Sequence, residues 1–289
     1  MVIVKIYGGL GNELFQYALY RKLQSLGKEV FCDIQMLEPI RQKNWPTIDI
    51  FPNINIPVAG EENRKKFGDV SRSIPARFRR KLRRKKSHVY EERKPKHFQP
   101  EVFEMNQVYL EGYWQSERYF SDIREQLLKD FSFPSVTDRR NQELVSKMEK
   151  EISVSVHIRR GDYLEGKNRE IYGGVCTDTY YHNAVSYFKK KYPDAHFYFF
   201  SNDPAWVTGR YQGIDMTVVD WNQGINSYWD MYLMSKCNHN IIANSSFSWW
   251  GGWLNCYKNK EVIAPMFWFN PQYNTAEDIV CREWIKIKG

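Results

Sequence analysis

The chain has 289 residues, 42% apolar and 16% aromatic, enough for one large α/β domain or two lobes of ordinary size. No run approaches the ~18 apolar residues that span a bilayer, and the opening MVIVKIYGG lacks a secretory signal's basic segment and cleavage site. The net charge of +8 is local, because residues 64–86 hold twelve Lys or Arg and one acid, which leaves about −3 for the rest.

Residues 2–7 read as a first strand, and the glycine-rich run Gly8, Gly9, Leu10, Gly11, Asn12 leads into a helical pattern over 12–26. Glycines at that turn let a ligand or another lobe approach the backbone closely. A plain turn with Asn12 as helix N-cap is the competing reading. The run has no Walker lysine, and Leu14 stands where a dinucleotide fingerprint needs its third glycine. Asp33 does lie at the distance that fingerprint asks of its acidic residue, so an NAD(P)-linked enzyme stays open on spacing alone. Further strands are expected at 29–34, 108–113, 152–158, 196–201, 216–220, 240–243 and 261–264. Helices are expected at 116–129, 138–150, 178–191, 226–236 and 246–256. This alternation favours parallel sheets with helices on both faces, and such sheets bind ligands beyond the carboxyl ends of their strands. A lobe boundary falls around Pro134 to Thr137, giving lobes 1–135 and 136–289. Residues 60–100 are the least regular part, an irregular basic insertion.

Three strand tips carry chemistry. Over 153–162 the sequence reads SVSVHIRRGD, with Val154, Val156 and Ile158 on one face and Ser155 and His157 on the other. Arg159 and Arg160 follow where the strand ends, and two adjacent guanidiniums there are costly unless an anion compensates them. A diphosphate fits, since each charge-assisted bond is worth about 1.5–3 kcal/mol. The competing reading pairs Arg159 or Arg160 with Asp162. Phe199–Phe200–Ser201–Asn202–Asp203–Pro204 is an aromatic strand ending in polar residues. Asp203 either caps a helix beginning at Pro204 or accepts two hydrogen bonds from a guanine edge. The run IIANSSFSWWGGW over 241–253 passes from a buried strand into a serine-rich helix start. Ser245, Ser246 and Ser248 with the first-turn amides make an anion site there, or simple capping above a tryptophan core. The five cysteines, Cys32, Cys176, Cys237, Cys256 and Cys281, form no close pair, which argues for reduced thiols in a cytosolic protein and against a zinc site.

Taken together and in order, these segments resemble the bacterial α-1,2-fucosyltransferases, and more distantly the α-1,6- and protein O-fucosyltransferases; Gly174–Val175–Cys176 and Tyr180–Tyr181 fit as well. The resemblance implies a GT-B-like α/β fold of two Rossmann-like lobes with parallel sheets and an inter-lobe cleft. Lobe 1–135 would lie on the acceptor side and lobe 136–289 would bind GDP-fucose. It implies an inverting, GDP-fucose-dependent galactoside α-1,2-fucosyltransferase acting on a galactose-terminated oligosaccharide or lipid-linked glycan. The alternatives are another fucosyl linkage and a non-catalytic nucleotide- or carbohydrate-binding protein. On that mapping Arg159 binds the β-phosphate, and His157 and Asp203 contact the guanosine part. Ser245 and Ser246 fall at the phosphates, and the Gly9 to Asn12 loop closes over the site. Gly11, Arg160, Ser201, Asn202, Asn244 and Ser248 complete the expected donor contacts. The family's start reads Gly-Asn-Gln, whereas Glu13 follows Asn12 here, so Glu13 faces the acceptor or favours the helix N-terminus. Candidate bases are Asp162, Glu165 and Glu13. No Asp-x-Asp occurs in the sequence, and paired arginines with a helix N-terminus can neutralise a diphosphate without metal, so no metal or cofactor is expected. The basic segment, with Ile74, Phe78 and Leu82 every four residues, suits an amphipathic helix on anionic lipid, and a solvated loop is the competing reading. The expected protein is cytoplasmic, with a peripheral contact at the inner membrane face and no role with nucleic acid.

Overall fold

Both sheets consist of parallel strands alone, as the strand–helix alternation predicts. The computed structural model describes residues 1–68, 86, 88–93, 97–273 and 277–289, and the chain divides into two units, Met1–Ser132 and Phe133–Gly289. Most of the basic segment lies outside the described residues, and with it the expected amphipathic helix and its membrane contact.

The first unit holds β1 (Val2–Lys5), β2 (Val30–Asp33), β3 (Val89–Glu91) and β4 (Val108–Glu111) in the order β2-β1-β4-β3. Val2, Ile3 and Val4 are all buried, as expected of a strand covered on both faces. The helix Leu10–Ser25 buries eleven of its sixteen residues, so it is an interior helix and not an amphipathic surface one. It starts two residues earlier than the sequence predicts, with Gly9 as N-cap and Asn12 inside the first turn. Asn12 is therefore not the cap.

The second unit holds β5 (Ser153–Ile158), β6 (His196–Ser201), β7 (Met216–Val219), β8 (His239–Ile241), β9 (Val262–Pro265) and β10 (Ile285–Ile287), ordered β10-β9-β8-β5-β6-β7. The chain winds outward from β5 through β6 to β7, then returns to β8 and winds the other way. The order therefore reverses between β5 and β8. In the first sheet it reverses between β1 and β4. Crevices at such reversals, outside the strands' carboxyl ends, are where open parallel sheets bind ligands.

Two expectations fail locally. Residues 116–129 are not one helix: the 3-10 turns Glu117–Tyr119 and Ser121–Ile123 precede the helix Arg124–Asp130. Tyr119 and Phe120 are both buried, and the chain breaks at Phe120, with φ −149° and ψ 10°. The stretch read as irregular contains the helix Glu61–Phe67 and β3.

Candidate functional site

The reversal between β5 and β8 brings together the two strongest motifs. Val154 pairs in register with His239 and Val156 with Ile241, so β5 and β8 end side by side. Tyr163 ties the loops beyond them, its hydroxyl donating to the Asn244 carbonyl at 3.0 Å. The His157 and Phe247 rings lie 5.8 Å apart.

Ser245 is the N-cap of the helix Ser246–Leu254, and among the described residues its side chain makes no capping bond to that helix's amides. The Ser248 hydroxyl turns back to donate to the carbonyls of Ala243 and Ser245, at 3.4 and 3.3 Å, so its proton is committed to the turn. Ser245 is buried and Ser246 half-buried. This leaves an uncovered helix N-terminus whose amides and dipole favour an anion. Trp249, Trp250 and Trp253 fill the core beneath it, and the Trp249 indole donates to the Ile279 carbonyl at 2.7 Å.

Arg159 stands beyond the tip of β5, 35% exposed, paired with Asp162 at 2.7 Å and 5.6 Å from the Tyr163 ring centre. Tyr163 in turn stacks on Tyr172 at 4.9 Å. An incoming anion would compete with Asp162 for this guanidinium. Arg160 is held otherwise. Its Nε donates to Asp203 at 3.0 Å, its guanidinium lies 4.0 Å from the Trp206 ring centre, and its backbone N–H donates to Asn202 Oδ1 at 2.8 Å. Gly161 between these contacts has φ +54°, and an added Cβ would stand 2.4 Å from Asn202 Nδ2. Only glycine fits that turn.

Asp203 is occupied on both oxygens, by the Trp206 N–H as helix cap at 3.3 Å and by Arg160. The capping reading thus holds, and a purine edge would have to share these oxygens. The Ser201 hydroxyl accepts from the Asp203 N–H at 3.0 Å. Asn244 is 2% exposed and acts as a clamp: its Nδ2 donates to the Tyr172 and Trp268 carbonyls at 3.1 and 3.0 Å, and Oδ1 accepts from the Cys176 thiol at 3.4 Å. His157 is 5% exposed with its Nδ1 unpartnered. Burial, then the nearby Arg159 charge, pushes its pKa down to about 3, so the ring is neutral at physiological pH. It offers a hydrogen bond and no charge.

In the other unit Gly8 and Gly9 flank the turn into the helix, and Asn12 Oδ1 accepts from Gln115 Nε2 at 2.5 Å. Glu13 is fully buried. Its Oε2 accepts from the Ile48 N–H at 2.7 Å and its Oε1 has no partner. Burial outweighs that bond and raises its pKa to about 8. Of the expected site residues in the second unit, Arg159, Asp162, His157, Ser245 and Ser246 therefore converge. Glu165 is exposed nearby, preceding the short helix Gly166–Ile171.

Sequence reasoning missed Tyr163, which follows Asp162 and is one aromatic among many. It also missed Asp230, half-buried beyond β7, whose Oδ1 accepts from Asn222 Nδ2 at 3.0 Å. Burial raises its pKa to about 8.

Among known proteins, the model of the family described as Glycosyl transferase family 11 matches residues 83–288. The chain is 30% identical to an Alpha-1,2-colitosyltransferase of Escherichia coli, covering 100% of this chain and 99% of that protein. It is 24% identical to Galactoside alpha-(1,2)-fucosyltransferase 2 of Pongo pygmaeus, over 87% of this chain and 68% of that one. Among solved structures, NodZ alpha-1,6-fucosyltransferase soaked with GDP-fucose aligns with a TM-score of 0.48 at 15% identity, covering 88% of this chain and 91% of that one.

Proposed function

We propose that this chain, which belongs to glycosyl transferase family 11, transfers L-fucose from GDP-fucose to the 2-hydroxyl of a terminal galactose, with inversion at the fucose anomeric carbon. The observation that carries the reading is that Arg159 follows β5 and the helix Ser246–Leu254 follows β8, two adjacent strands at the reversal of the second sheet. Breaking the bond between fucose and diphosphate places growing charge on the departing β-phosphate. A fixed guanidinium and oriented amides stabilise that charge without reorganising, which lowers the barrier. His157 adds a neutral polar contact. Arg160, Asn202, Asp203 and Asn244 hold the loops in place. This set of charges and amides supports transfer without a divalent metal.

A second reading has a specific ground: one relative, matched over the whole chain, is named a colitosyltransferase. Colitose is L-fucose without its 3-hydroxyl, so the same diphosphate site serves either donor, and the choice rests on whether a protein group hydrogen-bonds that hydroxyl.

Turnover of GDP-fucose, GDP-colitose, GDP-mannose and UDP-galactose with lactose and EDTA tests both readings. GDP release from GDP-fucose with a 2′-fucosylated product is expected. Preference for GDP-colitose establishes the second reading, and strict dependence on Mg²⁺ or Mn²⁺ refutes the metal-independent one. Arg159→Ala should cost at least about 100-fold in kcat with GDP-fucose, the usual scale for a lost charge-stabilising donor, while the protein melts as before. A variant that keeps most of its activity removes Arg159 from the mechanism.

A further inference from the structure

We infer that Tyr163 is a positioning residue for the reaction proposed above: its ring carries the Arg159 guanidinium, so that the charge is already in place when the donor arrives. The inference rests on that reading for the reaction alone. The placement of Arg159 is a property of the free protein and is tested as such.

Arg159 stands beyond the tip of β5 on a long side chain with many rotamers to lose. A charge stabilises a transition state best when it is fixed beforehand. Asp162 holds the Arg159 Nη2 at 2.7 Å. A phosphate oxygen takes the same N–H groups, so that bond gives way when the anion binds. The Tyr163 ring holds the guanidinium by other means, with its centre 5.6 Å from the guanidinium carbon. Such a contact draws on the ring's quadrupole and consumes no N–H donor, so it persists in the complex.

The platform is itself anchored. Tyr163 stacks on Tyr172 at 4.9 Å and 19°, Tyr172 meets Phe269 at 5.3 Å, and Phe269 is buried. A column of three rings thus runs from the charge into the core beyond β9. Its members are gripped along the chain as well. Asn244 Nδ2 donates to the carbonyls of Tyr172 and of Trp268, the residue before Phe269. Asn270, the residue after it, donates its N–H to the Ile171 carbonyl at 2.9 Å and its Nδ2 to the Gly173 carbonyl at 3.0 Å. At Gly173 an added Cβ would stand 2.8 Å from the Tyr163 carbonyl oxygen and 2.6 Å from that of Arg169. A side chain there would keep the loop from doubling back to set Tyr172 against Tyr163.

The column also shares a residue with the helix start. Burial raises the pKa of the Tyr163 hydroxyl, which stays protonated and donates to the Asn244 carbonyl at 3.0 Å. Asn244 directly precedes Ser245, the N-cap of the helix Ser246–Leu254. One residue therefore sets both the ring beneath Arg159 and the first amides of that helix.

Double-mutant kinetics with GDP-fucose and lactose distinguish a platform from a space-filling ring. Tyr163→Leu should lower kcat about tenfold and change the donor KM by less than about threefold. Tyr163→Phe keeps the ring and should lose no more than about threefold. In an Arg159→Ala background Tyr163→Leu should cost nothing further, because its effect passes through that guanidinium. A second tenfold loss there overturns the inference, as does full kcat in Tyr163→Leu. Should Tyr163→Leu fail to fold, Tyr172→Leu should show a loss of about threefold that likewise vanishes in Arg159→Ala; a loss that persists overturns the inference. Exchange of the Arg159 Nε–H with water, followed by NMR in the free protein, needs no donor. It should be at least about tenfold faster in Tyr163→Leu and near the wild-type rate in Tyr163→Phe. An unchanged rate in Tyr163→Leu overturns the placement whatever the donor is. A wild type that shows this exchange pattern yet turns over neither GDP-fucose nor GDP-colitose refutes the donor reading and leaves the placement of Arg159 standing.

Discussion

Glu13 and His157 are both buried titratable groups with one atom unpartnered, and they tune stability in opposite directions. Below about pH 4.5 Glu13 is protonated in the folded and the unfolded chain alike. Between there and about 8 only the folded chain holds that proton, so the site's stabilisation declines as pH rises and is lost above about 8. His157 behaves conversely: its contribution is complete above its ordinary value of 6.5 and falls away as pH drops toward about 3. A tenfold difference in proton affinity between the folded and unfolded chain is worth about 1.4 kcal/mol. Urea unfolding at pH 5 and pH 8.5 should therefore show the wild type losing stability on the alkaline side. In Glu13→Gln that loss should shrink by up to about 4 kcal/mol, three pH units at about 1.4 kcal/mol each. An undiminished loss would assign it to another group, such as Asp230. At this scale the sequence was only half legible. Arg159 and Asp162 declared themselves by type and by position at a strand tip. The burial of Glu13 did not, because its partner is a backbone N–H thirty-five residues away in a segment without periodicity.

The helix Ser246–Leu254 presents its amides to the site because its other end is packed against the helix Tyr228–Lys236. At Gly251 an added Cβ would meet Met234 Cβ at 2.9 Å and its Cε at 3.1 Å. Gly251→Ala would gain about 1 kcal/mol in helix propensity. The clash should outweigh that gain and leave the protein about 1–3 kcal/mol less stable, read as a lower urea midpoint at unchanged slope. A midpoint at or above the wild type would show that the Met234 side chain moves aside freely. Eight of the ten strands were legible as β-branched or aromatic runs, and β6 and the helix Asp178–Lys191 have the predicted ends. β3 and β10 escaped because each has three residues interrupted or flanked by charge, too few for a period to show. The short helices Glu38–Gln42 and Glu61–Phe67 bury one residue between them, so no apolar stripe announces them.

Each unit has its own parallel sheet and its own buried cluster, Ile3, Ala59, Phe67 and Tyr109 in the first and a larger one around β5 and β6 in the second. Hydrogen exchange with GDP present should accordingly slow amides in the loops after β5 and β8 and leave the strands of Met1–Ser132 as they were. Protection of Tyr113 or Trp114 by GDP alone would contradict donor binding through the second unit. The wholly parallel pairing has a separate consequence for how the chain is made. No strand here can close a hairpin with its successor. β1 must wait for β4, with Lys5 and Glu111 separated by 106 positions. At ribosomal speeds of about 5–20 residues per second, the first apolar strand stays without that neighbour for on the order of ten seconds. During synthesis an open strand edge and bare valines are available to any other nascent chain. The yield of active enzyme should thus be governed by temperature and chaperone supply more than by the stability of the finished fold.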